Sequence, residues 1–219
     1  MKPISDLMLL TDFDGTITNF DMAELVLTRF AKGEWKIYNE QLERGEIALE
    51  ECVNRQFSTV STSRDAIIEL LDRSASFRPG FSSLVGYCLS LSIPLIVVSA
   101  GLDFVIKHFM ELKGWGELEV YAAKATIKKN SIDLTFPGLM EKGSINFKDD
   151  IVMRYRNLGK RVAYIGDGLS DYHAVEVADL AFVVKGSRVA GHCRDAGINC
   201  HEFKNFDEVV MVLNALWGD

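Results

Sequence analysis

Apolar residues along the chain follow two alternating patterns. Predominantly apolar runs at residues 7–10, 93–98, 161–165 and 180–184 are typical of strands buried in a parallel sheet. Between these runs, apolar positions recur every three or four residues, which is the spacing of an amphipathic helix. This alternation predicts an α/β fold with a mainly parallel sheet. Helices are predicted at residues 22–30, 47–57, 66–71, 81–91, 103–113, 147–158, 172–177, 187–196 and 206–217, and two further strands at residues 118–127 and 132–136.

The long stretch after the first strand lacks strong strand patterns. Residues 18–77 are mainly helical in pattern, and an Arg-Pro-Gly sequence at residues 78–80 breaks that pattern. We therefore expect a helical cap formed by residues 18–77. It would be inserted into a catalytic core formed by residues 1–17 and 78–219. The charged segment at residues 40–51 is predicted to be a solvated face of that cap.

Composition and charge narrow the class of partner. The chain has 219 residues, of which 48% are hydrophobic and 25% charged, as in ordinary globular proteins. With 24 Lys and Arg against 31 Asp and Glu, the net charge is −7, which argues against nucleic acid or an anionic membrane as partner. No apolar run approaches the ~20 residues of a membrane span. We expect a cytoplasmic protein, a monomer or homodimer, whose partner is a small molecule.

The cysteines predict neither disulfides nor a metal centre. They are Cys52, Cys88, Cys193 and Cys200, and no two of them form a Cys-x-x-Cys pair. In a reducing compartment, free and mostly buried thiols are expected. His192 and His201 each lie next to a cysteine, but their spacing matches no common zinc motif.

Two carboxylates follow the first apolar run, at Asp12 and Asp14. Side chains two residues apart on a strand point the same way, so both can converge on one spot. Gly15 follows them and permits a close backbone turn. An ordinary Asp-Gly turn is the alternative explanation. Paired carboxylates at a strand's carboxyl end otherwise require a cation or phosphate chemistry between them, because they repel each other.

Further polar residues recur at the carboxyl ends of later strands or at the start of a helix. They are Ser99, Lys148, Asp167 and Asp171. Together with the first pair they predict a phosphoryl-transfer site. A carboxylate can attack phosphorus, and Mg²⁺ prefers carboxylate, carbonyl and phosphate oxygens. A serine, a lysine and the amides of Ala100 and Gly101 can bind phosphoryl oxygens. Asp14 is then free to transfer protons.

These residues form four motifs in a fixed order. The motifs are Asp12-Phe13-Asp14-Gly15-Thr16, Val97-Val98-Ser99, Lys148 and Gly166-Asp167-Gly168-Leu169-Ser170-Asp171. They resemble the four motifs of the haloacid dehalogenase superfamily over essentially the whole chain, which implies a Rossmann-like core.

The resemblance to that superfamily also implies a role for each motif residue. Asp12 would be the nucleophile and Asp14 the general acid and base. Mg²⁺ would be held by Asp12, Asp14 and Asp167, while Asp171 would support the lysine or a metal-bound water. The residues assigned to phosphate binding are Phe13, Ser99, Ala100, Gly101 and Lys148. For the lysine, Lys142 is a competitor of Lys148, which is favoured because it opens a helix.

The insertion after the first motif resembles the cap of the phosphoserine phosphatase-like branch. The sequence around the first motif, with Phe77-Arg78-Pro79-Gly80-Phe81, is most similar to phosphatases of methionine salvage, which act on 2-hydroxy-3-keto-5-methylthiopentenyl-1-phosphate. Residues 138–146 lack the cysteines expected there in those phosphatases, so the substrate stays open. The resemblance suggests Asp21 and Arg55 as cap residues that contact substrate. A helix N-cap is the equal alternative for Asp21.

The sequence thus predicts a Mg²⁺-dependent phosphomonoesterase that forms an aspartyl-phosphate intermediate. The methionine-salvage enol phosphate and phosphoserine are the two candidate substrates. A phosphotransferase, a phosphorylatable signalling module similar to a receiver domain, and a binding protein with an inactive site are the other classes considered. The long insertion after the first strand argues against a receiver domain, because receivers do not need one.

Overall fold

The fold is known from a computed structural model that describes residues 6–129 and 131–217. In that part of the chain there are seven strands and ten α-helices. The strands are β1 (Leu7–Thr11), β2 (Leu95–Leu102), β3 (Glu119–Ile127), β4 (Ile132–Thr135), β5 (Arg161–Gly166), β6 (Leu180–Val184) and β7 (His201–Phe203). The helices are α1 (Met22–Phe30), α2 (Ile37–Glu43), α3 (Leu49–Ser58), α4 (Arg64–Asp72), α5 (Phe81–Ser90), α6 (Asp103–Leu112), α7 (Phe147–Asn157), α8 (Tyr172–Val177), α9 (Arg188–Ala196) and α10 (Phe206–Trp217). None of these described helices is long and apolar enough to cross a membrane.

The strands form one sheet in the order β4-β3-β2-β1-β5-β6-β7. All neighbours are parallel except β3 and β4, which form an antiparallel pair at one edge. β1 lies at the centre, with Leu9 opposite Leu95 of β2 and Ala163 of β5. This arrangement confirms the predicted α/β fold with its mainly parallel sheet. It also aligns the carboxyl ends of β1, β2 and β5, where ligands bind in open sheets of this kind.

Both faces of the central strands are buried. Leu7 and Leu9 pack into a cluster on one face of the sheet, and Met8 and Leu10 pack into a second cluster on the other face. Successive side chains of a strand point to opposite faces, so an uninterrupted apolar run is what burial on both faces requires. The apolar run of β1 therefore has a direct structural cause.

Helices α1 to α4 all belong to one insertion of the chain between β1 and α5. Thr18 and Phe77, at the two ends of this insertion, form an isolated antiparallel bridge. Beside it, the Arg78 guanidinium donates from Nε to the carbonyl oxygen of Thr16 at 2.8 Å and from Nη2 to that of Gly15 at 2.7 Å. The two ends of the insertion are thus hydrogen-bonded to each other.

Three elements differ from the sequence-based prediction. β2 begins two residues later than expected and continues four residues further, to Leu102. Neither α2 nor β7 was expected. Helix α2 has no buried residue, so it carries no apolar stripe. Strand β7 has three residues and pairs with β6 at the sheet edge, with Phe182 opposite His201. Such short or solvated elements leave no periodic pattern in a sequence.

Helix α3 contacts the edge strand β4 through one amide side chain. Asn54 donates from Nδ2 to the carbonyl oxygen of Leu134 at 3.0 Å, and the Leu134 amide donates to Asn54 Oδ1 at 3.1 Å. Nearby, Glu50 of α3 accepts from the amide of Phe147 at 2.8 Å. The insertion is therefore hydrogen-bonded to the rest of the fold at the edge strand β4 and at the start of α7.

We expect Asn54→Ala to destabilise the protein by about 1–3 kcal/mol, because both backbone groups of Leu134 lose their partner. Chemical denaturation measures the free energy of unfolding, and hydrogen exchange of the Leu134 amide reports the local effect. Asn157→Ala is the matched control, since Asn157 donates to Glu141 in an exposed hydrogen bond. Equal losses in the two variants would contradict a role for Asn54 in docking.

Candidate active site

The first carboxylate pair lies in a tight loop after β1. The carboxylate oxygen Oδ1 of Asp12 accepts from the Phe13 amide at 2.7 Å. The Thr18 hydroxyl accepts from the amide of Gly15 at 2.9 Å and donates to the carbonyl oxygen of Phe20 at 2.7 Å. Asp14 Oδ1 accepts from the amide of Met22, the first residue of α1, at 3.2 Å. The loop therefore holds Asp14 against the start of the insertion.

Gly15 is required where this loop approaches β5. Its φ of +77° lies in the left-handed region, and a Cβ there would meet Asp167 Oδ2 at 2.4 Å. Thr16 donates its hydroxyl hydrogen to Asp167 Oδ1 at 2.7 Å. The Asp167 carboxylate is thus held directly beside the first motif.

Lys148, in the first turn of α7, places its ammonium group beside the Asp12 carboxylate. Asn146 caps this helix, accepting from the Lys148 amide at 2.9 Å, while Asp149 accepts from the Asn146 amide at 2.7 Å. The lysine side chain has no exposed area, and its Nζ lies 3.0 Å from Asp12 Oδ1. Lys142, the competing lysine, is exposed and lies outside the cavity-lining group.

Asp171 is fixed by donors to both of its oxygens. Oδ1 accepts from Lys148 Nζ and from the Tyr164 hydroxyl, each at 2.7 Å. Oδ2 accepts from the amides of Asp167 at 3.0 Å and Gly168 at 2.9 Å. With both oxygens occupied, Asp171 orients the lysine and the loop after β5.

The end of β2 brings a hydroxyl and a glycine to the first motif. Ser99 is buried, and its Oγ accepts from the Gly101 amide at 3.1 Å. The register with β3 shifts between Ser99 and Leu102, which turns the intervening backbone out of the regular ladder. A Cβ on Gly101 would lie 2.3 Å from Asp14 Oδ2, so the backbone approaches that carboxylate as closely as it can.

Three carboxylates are close enough to share a cation. Asp12, Asp167 and Asp171 offer oxygens within 4.8 Å of one another, the one such group of acidic, His or Cys residues in the described part of the chain. In that same part, Asp12 Oδ2 and Asp167 Oδ2 have no hydrogen-bond partner. Carboxylate oxygens without hydrogen-bond partners are the ligands that a hard divalent cation such as Mg²⁺ prefers.

The group formed by Asp12, Asp167 and Asp171 contains no histidine or cysteine, the ligands typical of a zinc site. His192 instead pairs with Glu176 at 2.8 Å and stacks on Tyr172. All four cysteines are free thiols, as predicted.

Burial and mutual repulsion change the ionisation of these groups. Burial raises the pKa of Asp14 to about 8, with a further contribution from Asp21. Burial and the nearby Asp171 raise the pKa of Asp167 to about 7. The pKa of Asp12 is also well above its ordinary value through burial and Asp171, although Lys148 opposes that effect. Burial acts to lower the pKa of Lys148, but Asp12 and Asp171 outweigh it and raise that pKa.

A cavity of about 360 Å³ opens over these groups, between the sheet and α1 to α3. Asp21 lines it and also caps α1, accepting from the Glu24 amide at 2.8 Å. Arg55 does not line it: its guanidinium pairs with Glu51 at 2.5 Å on an exposed side of α3. One position along a helix turns a side chain by about 100°, and the next residue, Gln56, lines the cavity instead.

Several residues hold the site through contacts that the sequence pattern does not predict. Tyr164 and Ser170 hold Asp171 and Lys148, Thr16 holds Asp167, and Arg78 holds the loop. Tyr164 offered a signal, because a phenol within a buried aliphatic strand needs a hydrogen-bond partner. Hydroxyl groups in the motif loops offered none, since serine and threonine are ordinary loop residues.

We expect the metal-free protein to lose stability as pH rises from 6 to 9. In the folded protein, the pKa values of Asp14 and Asp167 lie above the unfolded value of 3.8. Their contribution to the free energy of unfolding is therefore complete below pH 3.8 and is lost as pH rises through the folded values of about 7 and 8. Tm should fall by about 5 °C in calorimetry with EDTA. The fall should be smaller in Asp167→Asn, and added Mg²⁺ should raise Tm more at pH 9 than at pH 6. A flat profile would contradict the raised pKa values.

Comparison with known proteins agrees with this geometry. The sequence pattern of the haloacid dehalogenase-like hydrolases matches residues 9–176. A protein of Brevibacillus brevis, named as a 2-hydroxy-3-keto-5-methylthiopentenyl-1-phosphate phosphatase, is 28% identical over 212 residues, 94% of this chain and 95% of that protein. Pdp3-interacting factor 1 of Schizosaccharomyces pombe is 27% identical over 232 residues, 99% of either chain.

Solved structures show the same fold. A substrate-bound phosphoserine phosphatase superposes with a TM-score of 0.71 at 18% identity, covering 97% of this chain and 99% of that one. A phospho-aspartyl intermediate analogue of phosphoserine phosphatase superposes with a TM-score of 0.70, also at 18% identity, over 94% and 98%. With the family pattern matched over most of its length, this chain belongs to the haloacid dehalogenase-like hydrolases.

Proposed function

We propose that this protein is a Mg²⁺-dependent phosphomonoesterase that forms an aspartyl phosphate on Asp12. The reaction class, phosphoric monoester hydrolysis, follows from the family and the phosphatases related to this chain. The observation that carries the mechanism is the buried Lys148 ammonium, 3.0 Å from Asp12 in a cavity that also contains Asp14.

The first half of the reaction forms the acyl phosphate. An oxygen of the Asp12 carboxylate attacks phosphorus, and the bond from phosphorus to the ester oxygen breaks. Asp14 donates its proton to that oxygen, which leaves as an alcohol. In the protein without metal, burial raises the pKa of Asp14 to about 8, which favours the protonated form that a general acid requires. Lys148 and the Ser99 hydroxyl are positioned to bind the transferred phosphoryl oxygens.

The second half of the reaction releases phosphate. Water attacks the phosphorus of the aspartyl phosphate, Asp14 removes a proton from that water, and the bond to Asp12 breaks. Asp171 holds Lys148 in place throughout through its 2.7 Å contact. Asp14 returns to its protonated form, so one turnover consumes one water and restores every group.

Asp12 and Asp167, each with a carboxylate oxygen free of hydrogen bonds among the described residues, are the proposed Mg²⁺ ligands, with the backbone carbonyl of Asp14 as a third. Bound there, Mg²⁺ would neutralise charge on the phosphoryl group and on the facing carboxylates. Residues 18–77 are proposed to act as a cap that excludes bulk water from the site. Their contacts with Leu134 and Phe147 support this role.

The proposed substrate is the enol phosphate of methionine salvage, 2-hydroxy-3-keto-5-methylthiopentenyl-1-phosphate. Support comes from relatives bearing that phosphatase name, which cover about the same length as this chain. Phosphoserine is the second candidate, because the folds most similar in shape include phosphoserine phosphatases. Arg55 lies outside the cavity, so the carboxylate of phosphoserine would lack that arginine as a partner. This position weighs against phosphoserine as the substrate.

The test is phosphate release from a panel of small phosphomonoesters, with Mg²⁺ and with EDTA. The panel contains the methionine-salvage enol phosphate, phosphoserine, phosphocholine, pyridoxal phosphate and p-nitrophenyl phosphate, with the anhydride pyrophosphate added for comparison. We expect Mg²⁺-dependent turnover, highest for the enol phosphate, and its loss by at least about 10³-fold in Asp12→Asn. Absence of turnover in every case would reject hydrolysis, and phosphate release that depends on an added acceptor would indicate a phosphotransferase.

Asp14→Asn should slow poor leaving groups far more than good ones. An asparagine cannot protonate an alkoxide, whereas p-nitrophenolate leaves without help. We expect kcat for an alkyl phosphate to fall by about 10²–10⁴-fold, and that for p-nitrophenyl phosphate to fall much less. Equal losses for the two esters, measured under saturating Mg²⁺, would rule out Asp14 as the general acid.

A further inference from the structure

The cap side of the cavity carries one polar pair within an apolar wall. The apolar wall residues are Leu27, Trp35, Leu42, Leu49, Cys52, Val53 and Phe57. Among them stand two amides, Asn39 of α2 and Gln56 of α3. Gln56 is buried to 5% exposure, so its amide faces the cavity rather than bulk water. Buried amides are retained where they have hydrogen-bond partners.

Internal hydrogen bonds fix how these amides are oriented. Gln56 donates from Nε2 to Asn39 Oδ1 at 2.8 Å, and the Cys52 thiol donates to the same oxygen at 3.8 Å. Burial raises the pKa of Cys52 to about 12, so the thiol keeps its proton and can act as a weak donor. Asn39 therefore presents its oxygen to these two groups. Within the described residues, Gln56 Oε1 and Asn39 Nδ2 have no hydrogen-bond partner, leaving one acceptor and one donor for a ligand.

The cationic groups around the cavity are engaged elsewhere. Lys148 is bound by Asp12 and Asp171. Arg188 is exposed at the rim and pairs with Glu43 at 2.7 Å, while the exposed Lys36 has its ammonium over the Trp35 ring. A carboxylate on the substrate would enter a cavity already lined by several carboxylates. Among the described residues that line it, the one buried cation is Lys148, which Asp12 and Asp171 already bind.

We propose that Asn39 and Gln56 select the leaving group of the substrate, admitting an uncharged alcohol that carries a carbonyl or hydroxyl group and a short apolar tail. The carbonyl or hydroxyl bonds to the two amides, and the tail packs against the apolar wall. A leaving group with a carboxylate is excluded. This inference rests on the proposed phosphomonoesterase function and assigns its specificity to two cap residues outside the four motifs.

The experiment compares three phosphomonoesters of similar size: 2-oxopentyl phosphate, pentyl phosphate and 4-carboxybutyl phosphate. For the wild-type protein, we expect kcat/KM to fall in that order, with about 100-fold between the first and the last. Gln56→Arg places a guanidinium where the amide was. It should shift the ratio of the last ester to the first by at least about tenfold toward the carboxylate, mainly through KM.

Ser58→Arg is the matched control, because it adds the same charge to an exposed position of the same helix. Its ratio should equal that of the wild type. If Gln56→Arg does not fold, as judged by thermal unfolding, Gln56→Leu carries the test. That variant keeps about the same side-chain volume and removes both amide atoms, so its preference for 2-oxopentyl phosphate over pentyl phosphate should be about tenfold smaller than that of the wild type.

The outcomes separate this inference from the function on which it rests. Failure of the wild type to hydrolyse any of the three esters overturns the inference, and failure to hydrolyse the enol phosphate and the rest of the phosphate-release panel as well overturns the proposed function too. Turnover of all three with ratios unchanged in a folded Gln56 variant overturns the inference alone. Preference of the wild type for 4-aminobutyl phosphate over 2-oxopentyl phosphate would overturn the assignment of an uncharged leaving group.

Discussion

The buried ammonium of Lys148 is the interaction on which the site depends. Asp12 and Asp171 each bind it, at 3.0 and 2.7 Å, and without it two carboxylates would face each other out of water. Removing one partner of a buried ion pair leaves an uncompensated charge, which is far more destabilising than the pair itself is stabilising. One cation does not balance Asp167 in addition to Asp12 and Asp171, so this group of three carboxylates favours a divalent cation.

The position of Lys148 is in turn fixed by the first turn of α7. Asn146 and Asp149 satisfy each other's backbone amides, and Asp150 accepts from the amides of Met140 and Glu141, both at 2.7 Å. The segment before the helix is thereby folded onto the helix start. Glu50 of the insertion adds a bond to the Phe147 amide, so the helix start that carries the lysine is supported from both the core and the insertion.

The parts of the molecule that follow a periodic pattern could be predicted from the sequence. The buried strands and the carboxylates at their ends belong to this group, because parallel strands bring their carboxyl ends to one edge. Asn39 and Gln56 could not be found in this way, since α2 has no apolar stripe and amides are ordinary surface residues. Arg55 shows the limit of motif alignment, because an error of one helical position turns a side chain out of the cavity. Tyr164 could be found only by asking which groups a buried phenol bonds.

The bonds of Arg78 to the carbonyl oxygens of Gly15 and Thr16 have a consequence for how such proteins diversify. The insertion leaves and re-enters the core at nearly one point, where Thr18 and Phe77 pair. Its length and helix content can therefore change in evolution without altering the register of any strand. The residues proposed for the reaction and those proposed to select the substrate thus lie on opposite sides of one crossing of the chain, which the bonds of Arg78 hold together.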